Sequence, residues 1–163
     1  MVHVERLTVE EWALLREVRL RALADAPASF ASSHEREAGL IEAEWRGWLG
    51  KAAWFVARDA GRPIGLVGGI PDPAEWFLIS MWVAPEGRGS GVAARLIGAV
   101  VDAAAADRAE AVALRVNEHN AAARRVYERF GFVATGEWET LPRADAYRRE
   151  RMRLPVAAVS THG

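Results

Sequence analysis

Apolar residues recur along this chain now with the period of a strand, now with that of a helix, and the changes of period mark out its elements. Residues 2–7 read as a short strand. Thr8 and Glu11 have capping-box spacing, and the helix they open carries Leu15, Val18 and Ala22 on one face and stops near Pro27. Asp25-Ala26-Pro27-Ala28-Ser29-Phe30 is an irregular segment, and a second helix is expected over 35–49, with Ile41, Trp45, Trp48 and Leu49 sharing a face. Two apolar runs, 52–58 and 63–70, flank the turn Asp59-Ala60-Gly61-Arg62 and read as a hairpin. Pro71-Asp72-Pro73 then turns the chain into a further strand from Trp76 to Val83.

A helix over 90–106 follows, with Val92, Leu96, Ile97, Val100 and Val101 on one face, and then a strand through Val112, Leu114 and Val116. That strand-helix-strand unit places two parallel strands side by side. Asn117 or Asn120 caps the next helix, whose face of Ala123, Val126, Tyr127 and Phe130 ends at Gly131. Strands near 132–138 and 147–154 complete the pattern. The expected fold is α/β, a mixed and mostly antiparallel sheet flanked by about four helices. It forms one domain over 1–155, with 156–163 a flexible, frayed tail. No repeat, linker or low-complexity block interrupts it.

Composition narrows the possibilities. A chain of 163 residues, 51% of them hydrophobic, fits one domain that buries roughly 70% of its unfolded surface. Gly98 and Asp102 interrupt the longest apolar stretch, so no membrane span is expected. Met1-Val2-His3-Val4-Glu5-Arg6 mixes charges and lacks an apolar run, which reads as a cytoplasmic protein without a secretion signal. The absence of cysteine excludes disulfides and thiolate metal sites, and His3, His34, His119 and His162 have no ligand spacing, so no metal is expected. A formal net charge of -1 gives no general attraction for nucleic acid.

The densest chemistry lies in Val83-Ala84-Pro85-Glu86-Gly87-Arg88-Gly89-Ser90-Gly91-Val92-Ala93. Gly89 and Gly91 allow positive φ and close approach of a ligand, and the first N–H groups of the following helix have no partner inside it. Such donors, with the positive end of the helix dipole, suit a phosphate or pyrophosphate. A plain connecting turn is the competing explanation. Gly89-Ser90-Gly91-Val92-Ala93-Ala94 formally matches a dinucleotide fingerprint, but five residues separate Val83 from Gly89 and three antiparallel strands come first. A Walker loop is excluded because no Gly-Lys-Ser/Thr follows.

Val83-x-Pro85-x-x-Arg88-Gly89-x-Gly91-Val92-Ala93, followed by Asn120-x-x-Ala123-x-x-x-Tyr127-x-x-x-Gly131-Phe132, resembles the GNAT superfamily of acyl-CoA-dependent N-acetyltransferases. The resemblance covers roughly residues 2–154 and implies a GNAT-like sheet whose parallel strand pair splays to admit the pantetheine arm of acetyl-CoA. It also implies that main-chain groups of Met81, Trp82 and Val83 pair with the arm and the acyl group. Amides of Arg88, Gly89, Ser90, Gly91, Val92 and Ala93 would hold the pyrophosphate, with the Arg88 side chain either on a phosphate or merely solvated. Asn120 would bond the pantetheine or cap its helix, Ala123 would leave room for it, and Tyr127 would protonate the departing thiolate. Arg124, Arg125 and Arg129 are candidates for the ribose phosphate, or ordinary helix charges.

The base is less legible. The strand 76–83 holds no carboxylate, which leaves Glu118, Glu75, His34, His119 or a water chain. Seven tryptophans are many for this length; taken singly each reads as core or as a homodimer contact. Phe30 and Trp76, with Trp45, Trp48 or Trp138, are the candidates to wall the acceptor site. The expected activity is acetyl transfer from acetyl-CoA to a primary amine, more readily of a small molecule than of a protein. A catalytically silent acyl-CoA-binding domain and a protein N-terminal or lysine acetyltransferase are the alternatives.

Overall fold

The computed structural model describes residues 1–27, 30, 32–141 and 147–156. Ala28 and Ser29 of the irregular segment, His162 and the expected tail from 157 on lie outside them. Among the described residues seven strands follow the hydrogen-bonded order β1-β2-β3-β4-β5-β7-β6, and five α-helices accompany them. The chain forms two compact units, one built from Met1–Pro71 and Leu78–Val100, the other from Asp72–Phe77 and the described residues from Val101 on. No helix among the described residues is long and apolar enough to cross a membrane.

In the first unit β1 (Val2–Arg6) pairs antiparallel with β2 (Ala53–Asp59), which pairs antiparallel with β3 (Arg62–Ile70). Ala60 at φ 52 and Gly61 at φ 81 form the two-residue turn of the expected hairpin, whose backbone twist suits the flanking strands. Glu11 accepts the Thr8 N–H at 2.9 Å in the capping box, and α1 (Trp12–Asp25) buries Leu15, Val18, Ala22 and Leu23.

The single helix expected over 35–49 is two: α2 (His34–Ala38) and α3 (Glu42–Lys51). Gly39 is a poor helix former, costing about 1 kcal/mol relative to alanine, and the Glu44 carboxylate accepts the Ile41 N–H to start a second helix. Ile41 thereby leaves the shared face and is 62% exposed, while Trp45 is fully buried. Trp45, Trp48 and Trp54 form a chain of rings at 4.7 and 5.9 Å.

β4 (Glu75–Val83) contributes Leu78–Val83 to this unit, and α4 (Val92–Ala106) buries Val92, Leu96, Ile97 and Val100 in it, as the periodicity predicts. The helix begins at Val92, two residues later than expected, because positive φ at Gly89 and Gly91 keeps the preceding turn out of helical geometry.

In the second unit the start of β4 pairs parallel with β5 (Ala111–Asn117), in register from Glu75↔Ala111 to Phe77↔Ala113. β5 pairs antiparallel with β7 (Arg148–Pro155), and β7 with β6 (Val133–Thr140). α5 (Ala121–Phe130) ends at Gly131, whose φ of 121 suits glycine. The ordered chain runs further than expected. Pro155 belongs to β7, and Val156, assigned to the tail, is buried and donates its N–H to Glu110 O at 2.8 Å.

Candidate active site

Each functional group is positioned by local structure that the surrounding residues explain. β4 ends at Val83, Ala84 is buried with its N–H on Ile64 O at 2.8 Å, and Pro85–Gly87 make one turn of 3-10 helix. Proline suits the first position of that turn because its missing N–H has no partner to lose. Gly89 and Gly91 then take φ 79 and 80, and α4 opens at Val92. Ser90 Oγ closes the loop on Gly87 O. Among the described residues no protein acceptor takes the N–H of Gly89, Ser90, Gly91, Val92 or Ala93, whereas Arg95 N–H bonds Gly91 O at 3.3 Å. A run of free amides at the positive end of a 15-residue helix can hold an anion.

The Arg88 side chain does not stand free for a phosphate. Its Nε donates to Val83 O at 3.0 Å and its Nη2 pairs with Asp25 at 2.5 Å. Asp25 also accepts from Trp82 Nε1 at 2.8 Å. That bond, followed by the charge of Arg88, holds its carboxyl below the usual carboxylate range. Arg88 therefore braces the turn against the end of α1. It also occupies the Val83 carbonyl, one of the main-chain groups expected to serve the pantetheine arm.

Upstream in β4, Ser80 has φ 56, a left-handed conformation that costs a residue with a Cβ roughly 1–2 kcal/mol. It interrupts the strand's extended backbone just before Met81, which is half-buried. Arg19 Nη1 donates to Ser80 Oγ at 2.8 Å, while its Nε and Nη2 bond both oxygens of Glu37 at 2.7 and 3.0 Å. Arg19 and Glu37 are 6% and 2% exposed, and the guanidinium lies 4.7 Å from the Phe30 ring centre and 5.8 Å from that of Trp48. The sequence gives no strong sign of this cluster. A faint one exists: Arg19 falls beside Leu15, Val18 and Ala22 on the apolar face of α1. Phe30, expected beside the acceptor, is buried with one face toward Arg19.

In the second unit Asn120 caps α5, its Oδ1 accepting Ala123 N–H at 3.0 Å, while Asn117 Oδ1 takes His119 N–H at 2.7 Å. The cap leaves the Asn120 amide nitrogen available as a donor. Ala123 is half-buried. Tyr127 is 7% exposed and packs edge-on against Phe132 at 5.9 Å; burial pushes its phenol well above the ordinary tyrosine range. Arg124 pairs with Glu150 at 2.7 Å, whereas Arg125 and Arg129 are exposed.

The two carboxylates among the candidate bases are held in ion pairs. Glu118 accepts Arg148 N–H and Nε, both at 3.0 Å, and these bonds hold its pKa below the usual range. Glu75 is paired with Arg151 and with Arg153, the latter at 2.6 Å, and is lowered likewise. His119 is exposed beside Glu118 at 3.6 Å, and His34 opens α2. Trp76 is no wall of an open site. It is 3% exposed and donates Nε1 to Asp107 at 2.9 Å, at the end of β4 opposite the glycine turn. Trp138 is 41% exposed with the Arg148 guanidinium 4.6 Å from its ring centre.

The sequence profile of the Acetyltransferase (GNAT) family matches residues 15–132. No curated protein matches the chain. Among solved structures, a GNAT-family acetyltransferase from Streptococcus pneumoniae superposes with a TM-score of 0.80 at 16% identity, over 95% of this chain and 99% of that one. The putative acetyltransferase yncA from Salmonella typhimurium, solved with its cofactor acetyl-CoA, gives 0.76 at 14% identity, over 96% and 94%. Nourseothricin acetyltransferase gives 0.60 at 28% identity, over 65% of this chain and 66% of its own. With a family profile spanning well over half its length and a fold shared with these enzymes, the chain belongs to the GNAT family of acetyltransferases.

Proposed function

We propose that this acetyltransferase moves the acetyl group of acetyl-CoA to the primary amine of a small molecule, by direct attack in a ternary complex. The observation that carries the proposal is the run of unpartnered amides from Gly89 to Ala93 at the mouth of α4, suited to the diphosphate of coenzyme A. Main-chain groups of Met81 and Trp82 then serve the pantetheine arm and acyl group as an added strand would, and the free Asn120 amide nitrogen donates to the arm. A small acceptor is favoured by the likeness to nourseothricin acetyltransferase.

The chemistry needs a donor for the leaving sulfur and an exit for one proton. A neutral amine attacks the thioester carbonyl, the C–S bond breaks, and the thiolate takes the Tyr127 proton; the proton shed by nitrogen returns to the phenolate through water. Burial suits Tyr127 to this role, since it keeps the hydroxyl protonated throughout the working pH range. Because Glu118 and Glu75 are held as ion pairs, the amine loses its proton to water rather than to a carboxylate. The same pairing favours, as a second reading, a domain that binds acyl-CoA without turning it over.

Release of free CoA from acetyl-CoA across amino acids, polyamines, aminoglycosides and peptides with free N-termini separates these readings. A small amine is expected to stimulate release, and Tyr127→Phe to lower kcat about 10²-fold with acetyl-CoA affinity retained. Stimulation by peptides alone would make the chain a protein acetyltransferase, and binding without release under any amine would make it a binding domain. A fully active Tyr127→Phe would remove the tyrosine from the mechanism.

A further inference from the structure

We infer that Arg19, held by Glu37, is a positioning residue that fixes the left-handed bend of β4 at Ser80 and thereby aims the main-chain groups of the following residues at the acyl end of acetyl-CoA. The inference rests on the reading of Met81 and Trp82 given above.

Among the described residues only Ala60, Ser80 and Arg108 combine positive φ with a side chain. Ala60 sits in the β2–β3 hairpin and Arg108 in the connection after α4, where the chain must reverse. Ser80 lies inside a strand, where no turn requires the conformation, and serine is not among the residues that favour it. Its hydroxyl is the group that is held: Arg19 Nη1 reaches it at 2.8 Å. The guanidinium has little freedom of its own, being gripped through two hydrogen bonds by Glu37 and bordered by the Phe30 and Trp48 rings. Burying both charges costs solvation that hydrophobic side chains of similar volume would not, so the pair is poorly explained by stability alone. A rigid, buried donor set against a strained strand residue is instead what aligning a backbone needs.

Substitutions at position 80 test this with the ion pair left intact. Ser80→Ala removes the acceptor and lets the strand relax toward extended geometry. Ser80→Gly removes it too, yet glycine adopts positive φ without help. Acetyl-CoA affinity by calorimetry is expected to fall about tenfold in Ser80→Ala and to return to near the parent value in Ser80→Gly. Arg19→Met should weaken binding in the parent by more than it does in the Ser80→Gly background. In the ligand-free protein, the 13Cα and 13Cβ shifts at position 80 should move toward extended values in Ser80→Ala. Equal weakening by alanine and glycine, or shifts and affinity unchanged in Ser80→Ala, would overturn the inference. A parent that binds no acetyl-CoA, with shifts that still move, would refute the proposed function while leaving Arg19 as the residue that shapes β4.

Discussion

Tyr127 shows how little a residue type says until its surroundings are known. An aromatic at helical spacing on α5 reads equally as packing, and it does pack, against Phe132. What bears on the proposed proton donation is the burial of its phenol, which pushes the pKa upward. The neutral form persists to higher pH than in a free tyrosine. The rate with a small amine, kcat/KM, should therefore climb with pH to the pKa of that amine and show no fall from Tyr127 below the ordinary tyrosine value of about 10. Initial rates for two amines of different pKa check this. A rising limb near pH 6–7 that ignores the amine's identity would point to an enzymic base, contrary to the water route. At this scale the glycines were legible because positive φ leaves few alternatives. The partners of Arg88 and Glu118 were not, because they lie 63 and 30 residues away in sequence.

Elements were read well where local chemistry decides them. The capping box at Thr8, the turn at Ala60-Gly61, the Asn120 cap and the Gly131 terminus each rest on neighbouring residues and stand as expected. The break at Gly39–Ile41 was missed because the apolar spacing of Trp45 and Trp48 was extended back through a glycine. The bend in β4 was missed because Ser80 gives no local sign of it; its cause sits on α1. Packing between strands sets another constraint that sequence alone does not display. A Cβ added at Gly68 of β3 would lie 2.9 Å from the Trp54 ring and 3.0 Å from Ile79. The indole is rigid and already stacked on Trp48, so Gly68→Ala should destabilise the protein by about 1–3 kcal/mol despite the small gain from a stiffer unfolded chain. Urea unfolding checks it, and an unchanged midpoint would mean that the β2–β4 region yields more readily than its packing implies.

For the whole molecule, the alternation of periods was sufficient to anticipate a mixed sheet with one parallel pair, and the two motif segments to anticipate the family. Topology was legible because short connections leave few ways to order strands. The acceptor was not, because the contacts of the residues expected to wall it, Phe30 against Arg19 and the buried Trp76 on Asp107, join positions far apart in the chain. The central claim concerns where coenzyme A lies, and a crystal structure of the complex decides it. Diphosphate oxygens are expected within hydrogen-bond distance, about 2.7–3.2 Å, of the amides of Gly89–Ala93, with the sulfur beside the Tyr127 hydroxyl. A nucleotide bound elsewhere, with those amides untouched, would contradict it.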